Sequence, residues 1–236
     1  ASSSKASTKA IKTADALFDK GQEPVPQMYA LLKEASKQDP GNAELLWRVS
    51  RAARLMSMDE RNSKEERKEF AYECLSTAKQ AVLADDSNWA GHKWIAIGYK
   101  VVGDYEGTKS KLKNAFIIKD EFKRALELNP TDATTTCLMG QWCYYFADMG
   151  WATRQVASAL FAAPPTSTYK EALEYFLKAE QLDPGFYKKN AQMLAQTYWR
   201  LGNIEEAKKW REITLKMPTV TLDDEEAHQS AKALNL

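Results

Sequence analysis

Phe122-Lys123-Arg124-Ala125-Leu126-Glu127-Leu128-Asn129-Pro130 decides the fold, because its order recurs along the chain. An aromatic or aliphatic residue is followed three positions later by a small one and then by an Asx-Pro or acidic stop. The other copies are Leu32, Ala35 and Asp39-Pro40; Ala78, Ala81 and Asp85-Asp86; and Phe176, Ala179 and Asp183-Pro184. The small residue lets a neighbouring helix approach closely, and the proline cannot continue the helix it follows. Each copy reads as the end of the second helix of a pair.

A new helix begins after each stop. Ten positions on stand Ser50, Ala96 and Gly140, with Ala195 one position late, each preceded by an apolar residue (Val49, Ile95, Met139, Leu194). Three further on stand Ala53, Tyr99, Cys143 and Tyr198, and small-then-bulky order of this kind is how the first helix of a tetratricopeptide (TPR) repeat meets its partner. The period is irregular: from Pro40 the stops fall 46, 44 and 54 residues apart, at Asp86, Pro130 and Pro184. Only the step from Pro184 to Pro218 matches the ~34-residue TPR period. The expected fold is an all-α, TPR-like superhelix whose excess length lies in longer helices and an inserted segment.

The pattern divides the chain into a flexible arm over 1–7, a repeat domain over 8–218 and a capping helix over 219–236. Within the domain an incomplete first repeat, 8–40, precedes pairs at 43–86, 88–130, 132–184 and 186–218. Helices are expected over 8–20 and 28–37, separated by Gly21 and Pro24-Val25-Pro26, then over 43–56 and 64–83, the latter started by Ser63 with Glu66. The third pair is 89–102 and 108–128, turning at Gly103-Asp104; the fourth is 132–147 and 169–182; the fifth is 186–201 and 204–216. Between the helices of the fourth pair, 151–168 is an insertion with one short helix, ended by Pro164-Pro165. Thr221 caps the last helix, with Asp223 to Glu226 at its positive end. A solenoid needs such a cap to cover its last apolar face.

Composition agrees. The 236 residues are 44% hydrophobic with seven Trp and ten Tyr, enough for an extended core, and alternating β-branched runs are scarce. A formal net charge of +1 gives no global pull toward nucleic acid or membrane, so any electrostatic function must be local. Cys74, Cys137 and Cys143 are odd in number and lack paired-ligand spacing, and read as reduced, buried thiols. With only His92 and His228 a metal site is not expected, and no eighteen-residue apolar run spans a bilayer. The chain opens on Ala1, not Met, with a Ser/Lys-rich stretch to Lys9, which leaves an upstream leader or anchor open.

The segments ALFAAPPTSTYKEAL (159–173), KAEQLDPGFYKKN (178–190), GQWCY (140–144) and LLWRVSRA (45–52) resemble the regulator of microtubule dynamics family, from about Ala43 to the C-terminus. The proline-bearing insertion is the most specific part of the likeness. The resemblance implies a cytoplasmic TPR-like protein that associates with microtubules, the spindle and its poles, alongside other spindle proteins, and supports chromosome segregation. Family members with an N-terminal anchor sit at mitochondria and are linked to phospholipid binding, which makes a lipid-binding or lipid-transfer module the alternative function.

A TPR array offers the inner faces of its first helices as a groove. Counting from each stop, these positions are Glu44, Trp47, Arg51 and Arg54; Ala90, Lys93, Ile97 and Lys100; Thr134, Cys137, Gln141 and Tyr144; and Lys189, Gln192, Gln196 and Trp199. The groove is thus expected to be basic at one end and aromatic-polar at the other, suiting the acidic surfaces of tubulin or a lipid headgroup. The competing reading is an ordinary solvated face of snorkelling cations. A second basic run, Lys109, Lys111, Lys113, Lys119, Lys123 and Arg124, broken by Asp120 and Glu121, is either a docking stripe or a solvated helix face. Lys5, Lys9 and Lys12 of the arm precede any acid.

Most aromatics on first helices, among them Trp47, Trp94, Trp142, Trp199, Tyr144 and Tyr198, suit inter-helix core. Trp151, Phe161 and Tyr169 bracket the insertion. They would line a closed apolar pocket if its helix folded over the array, or simply pack it. A carboxylate clamp for chaperone tails is disfavoured, because Asn42, Asn88 and Asn190 lie near helix starts and none lies mid-helix. No phosphate loop, nucleophile elbow or metal-binding helix motif is present, no cofactor is implied, and His92 has no evident carboxylate partner. The chain is expected to bind rather than catalyse.

Overall fold

The computed structural model describes residues 4–236, and the described residues form α-helices joined by short turns and one longer irregular segment. Two compact units divide at Asn129, the third stop. The first holds α1 (Lys5–Phe18), α2 (Val25–Gln38), α3 (Ala43–Met58), α4 (Lys64–Ala84), α5 (Trp89–Glu106), α6 (Thr108–Lys113) and α7 (Ala115–Leu128). The second holds α8 (Ala133–Ala147), α9 (Trp151–Leu160), α10 (Tyr169–Leu182), α11 (Lys188–Arg200), α12 (Ile204–Lys216) and α13 (Leu222–Ala233).

Each stop works together with a cap. Two residues after Pro40, Asp86 and Pro130, the side chains of Asn42, Asn88 and Asp132 accept hydrogen bonds from the first backbone amides of α3, α5 and α8. After Pro184 the rhythm slips by one. Gly185 sits at φ 70°, in the left-handed region that favours glycine, and α11 starts behind Tyr187 without a side-chain cap. That extra turn residue is why the small residue of α11 arrives a position late. Ser63 with Glu66, Thr168 with Glu171 and Thr221 with Asp224 form capping boxes on α4, α10 and α13.

The small residues do what their spacing implies. A Cβ on Gly140 of α8 would lie 2.6 Å from the Phe176 ring of α10, and one on Gly98 of α5 would lie 2.7 Å from the Leu75 backbone of α4. At the equivalent place in α3 the Ser50 hydroxyl donates to the Cys74 carbonyl at 2.6 Å. Around α1 to α3 these approaches enclose one core built on Ala14, Leu17, Met28, Leu32, Leu45 and Val49. Helix α3 packs against both α1 and α5, and α11 against both α8 and α13, so first helices lie side by side within each unit.

Four boundaries differ from the sequence reading. Ser4 caps α1, so residues 4–7 of the expected arm form the cap and first turn; residues 1–3 lie outside the described residues. Pro24 and Pro26 open α2 instead of separating it from Met28, proline being tolerated in a first turn. Helix α5 runs through Gly103-Asp104 to turn at Gly107, φ 87°, and the Lys111 side chain packs closely on Gly103. The single helix expected over 108–128 is interrupted at Asn114.

Candidate binding faces

On the inner side of the first unit, α1, α3 and α5 bring together a cluster of opposite charges. Arg48 grips Asp15 through Nε and Nη2 at 2.9 and 2.8 Å, and Arg51 Nη2 reaches the same carboxylate at 2.8 Å. Glu44 accepts from Arg48 Nη1 at 2.7 Å, from Trp47 Nε1 at 3.0 Å and from Asn88 Nδ2 at 2.7 Å. The Arg51 guanidinium lies 3.9 Å from the centre of the Phe18 ring, and that of Arg48 lies 4.1 Å from Trp47. Burial pushes the Asp15 carboxyl upward, but the hydrogen bonds and charges of Arg48 and Arg51 more than reverse this and leave it below its ordinary value.

The structure therefore gathers Trp47 and Arg51, as counted from the stops, yet engages Arg51 inside the protein. Its side chain is 12% exposed and its Nε is buried without a partner. Asp15 and Phe18 were missed because the incomplete first repeat was not counted for its inner face, although both stand on one side of α1. Arg54, Lys93 and Lys100 are half-buried, and each is engaged by a neighbour, Lys93 lying 5.4 Å from the Trp89 ring.

In the second unit α8, α10 and α11 carry a polar ladder that includes one ion pair. Gln192 Nε2 donates to Gln196 Oε1 at 2.6 Å, Arg200 Nε approaches the Tyr144 hydroxyl at 3.4 Å, and Arg200 Nη2 pairs with Asp148 Oδ1 at 2.9 Å. Tyr169 donates to that Asp148 oxygen at 2.5 Å, and its ring lies 5.4 Å from that of Tyr144. Burial and the Asp148 carboxylate push the Tyr169 hydroxyl up to about 12. Trp199 lies under the Arg200 guanidinium, while half-buried Gln141 turns back to Cys137 Sγ of its own helix. Of the counted positions Tyr144, Gln192 and Gln196 take part; Asp148, Tyr169 and Arg200 complete the ladder and were not anticipated there.

One open alternative is set aside and one expectation is corrected. Trp151 is 77% exposed and Tyr169 is taken up by Asp148, so α9 does not fold over the unit to enclose a pocket with Phe161. His92 does have a carboxylate partner. Its Nδ1 lies 2.6 Å from Glu121 Oε2 and its Nε2 lies 2.9 Å from the Asp86 carbonyl, joining α5 to α7 with both nitrogens occupied.

The second basic run divides with its helix. Lys109 and Lys113 of α6 and Lys123 of α7 are exposed and form no ion pair among the described residues. Lys111 pairs with Asp104 at 2.6 Å, Arg124 pairs with Glu127 at 3.2 Å, and Lys119 is half-buried and engaged. No helix among the described residues is long and apolar enough to cross a membrane.

The sequence profile of Regulator of microtubule dynamics protein 1-3 matches residues 10–235, nearly the whole chain. The chain belongs to the regulator of microtubule dynamics family. Regulator of microtubule dynamics protein 1 of Pongo abelii is 45% identical over 224 residues, spanning 95% of this chain and 70% of that protein. Regulator of microtubule dynamics protein 3 of Xenopus laevis is 34% identical over 217 residues, spanning 92% of this chain and 47% of that one. For the fold alone, a thermophilic TPR protein of Thermus thermophilus aligns with a TM-score of 0.66 at 16% identity, covering 97% of this chain and all of that one. This member of the family is thus all-helical and TPR-like over the described residues, with the proline-bearing insertion carried as α9 and the last described helix, α13, packed on α11 and α12.

Proposed function

We propose that this chain acts by binding rather than catalysis, and that it associates with microtubules through the lysines of α6 and α7. The observation that carries this reading is a contrast between two sets of cations. Arg48 and Arg51 are neutralised by Asp15 and Glu44, whereas Lys109, Lys113 and Lys123 stand exposed without counter-ions among the described residues. Exposed lysines keep their charge for a partner and lose little on attachment. The relatives' name, regulator of microtubule dynamics, supports a microtubule surface as the partner; the spindle and chromosome segregation, which the family resemblance implies, are its proposed setting in the cell.

Cosedimentation with polymerised tubulin across a salt series tests it. Reversing Lys109, Lys113 and Lys123 together to Glu should weaken binding by about tenfold or more, each exposed charge contributing roughly 0.3–1 kcal/mol, and should flatten the salt dependence. Reversing Arg54, Lys93 and Lys100 should leave binding close to wild type. Wild-type affinity in the outer triple variant would remove α6 and α7 from consideration.

A further inference from the structure

The feature that the contact through α6 and α7 leaves unused is a row of lysines on α1. Lys5, Lys9 and Lys12 lie four and three residues apart on one side of this helix, while Ser7, Ala10, Ala14 and Leu17 bury the other. All three lysines are exposed and form no ion pair among the described residues. The carboxylates that approach α1 are occupied on its inward side, Asp15 by Arg48 and Arg51, and Asp39 by the Ser7 hydroxyl at 2.7 Å and Asn42 Nδ2 at 2.9 Å. Asp19, two turns beyond Lys12, is exposed and stands next to Lys20.

The row works against the helix that carries it. Like charges three and four residues apart repel each other. Lys5 also stands in the first turn, at the positive end of the helix dipole, where α4, α10, α12 and α13 carry carboxylates. No contact inside the protein relieves either cost, and an external anion would relieve both.

Spacing says what shape of anion fits. At ~1.5 Å per residue, Lys5 to Lys12 spans about 10 Å of helix axis. An extended chain covers that length in about three residues. Successive acidic side chains of an extended segment can therefore meet all three ammonium groups, and the flexible lysine stem needs no fixed register to reach them. Helix α1 opens and α7 closes the same compact unit, so the row and the lysines of α6 and α7 are carried together.

We propose that the lysine row of α1 is a second attachment point for microtubules, taking an extended acidic segment of tubulin while α6 and α7 make the first contact. The inference rests on the microtubule reading and adds a separate surface to it. Once one surface is attached, the other binds as an intramolecular event, so the intact chain should bind more tightly and more salt-sensitively than a chain with either surface alone.

The test is cosedimentation of the full chain across a salt series with two kinds of microtubule, intact and trimmed of their acidic tubulin tails by subtilisin. On intact microtubules Lys5→Glu, Lys9→Glu and Lys12→Glu together should weaken binding about tenfold and flatten its salt dependence. Arg at the same three positions should retain it. On trimmed microtubules the Glu variant and wild type should bind alike. Because the three side chains are exposed and a carboxylate suits the first turn, the Glu variant should melt no lower than wild type. Wild-type affinity of the Glu variant for intact microtubules, or an equal loss on trimmed ones, would overturn the proposal. In either case weakened binding by the Lys109/Lys113/Lys123 variant would leave the contact through α6 and α7 standing, whereas a wild-type chain that fails to sediment with intact microtubules would overturn both.

Discussion

Replacing Asp15 by Asn asks whether Arg48 and Arg51 hold the first unit together or wait for a ligand. The substitution keeps the shape and removes the charge that receives three guanidinium hydrogen bonds of 2.8–2.9 Å. Charge-assisted bonds are worth ~1.5–3 kcal/mol each. The full sum is not expected, because the Asp15 side chain is 40% exposed, solvent screens it, and Asn keeps one acceptor oxygen. Against that discount, Arg51 is nearly buried and would be left without its anion, which is costly. The expected loss is about 2 kcal/mol at neutral pH, read from urea denaturation followed by helical circular dichroism.

The same variant fixes the pH dependence. The folded state holds the Asp15 carboxyl below its ordinary value of 3.8, so the contribution is fully present above that value and fades as pH falls through the lower, folded-state one. Wild type and Asp15→Asn should therefore differ near neutrality and converge in strong acid. A variant within about 0.5 kcal/mol of wild type at neutral pH, or a gap that persists after Asp15 is protonated, would show that this cluster is not structural. The groove arginines would then return as candidates for tubulin.

Three further outcomes follow from packing. Gly140→Ala places a methyl against the fully buried Phe176 ring; overpacking of about 1–3 kcal/mol should exceed the ~1 kcal/mol gained in helix propensity, and combining it with Phe176→Leu should recover part of the loss in a double-mutant cycle. Asn88→Ala removes both the cap of α5 and a hydrogen bond to Glu44, and should cost ~1–2 kcal/mol by chemical denaturation, whereas Asn203→Ala at the exposed start of α12 should cost less. Burial pushes the Cys74 thiol up to about 11, so in the native protein it should resist a thiol-reactive dye at mildly alkaline pH and react once urea unfolds the chain.

How much of this was legible depends on where the determining contact lies. Local rules announced themselves: Asn42, Asn88, Asp132 and Thr221 cap the helices whose starts their positions imply, and α10 and α12 begin and end at the residues that Thr168, Asp183, Asn203 and Pro218 mark out. Even the late Ala195 has a local cause in Gly185. Contacts between helices left no such trace. Whether Arg51 faces a ligand or a carboxylate depends on Asp15, 36 residues away, and His92 finds Glu121 across 29 residues. The turn read at Gly103-Asp104 falls instead at Gly107, which takes the positive φ. Helix spacing predicts which side a residue occupies, and it is silent on whether a cation there is already neutralised.

The closing helix shows the same division between local and distant causes. Its start follows from Thr221 and Asp224, but its attachment follows from a lysine on another helix. Lys188 is 2% exposed, and its ammonium donates to the Met217 carbonyl at 2.8 Å, the Thr219 hydroxyl at 2.6 Å and His228 Nδ1 at 3.1 Å. Three acceptors meet three protons, which is what makes burying this cation tolerable without a carboxylate. Around it Lys189 pairs with Glu226 and Arg211 Nε donates to the Ala231 carbonyl, while only Ala227 and Ala231 of α13 are buried. In α13 small residues give close contact and polar bonds reaching back to α11 and α12 supply the hold that a larger apolar face supplies in the interior repeats.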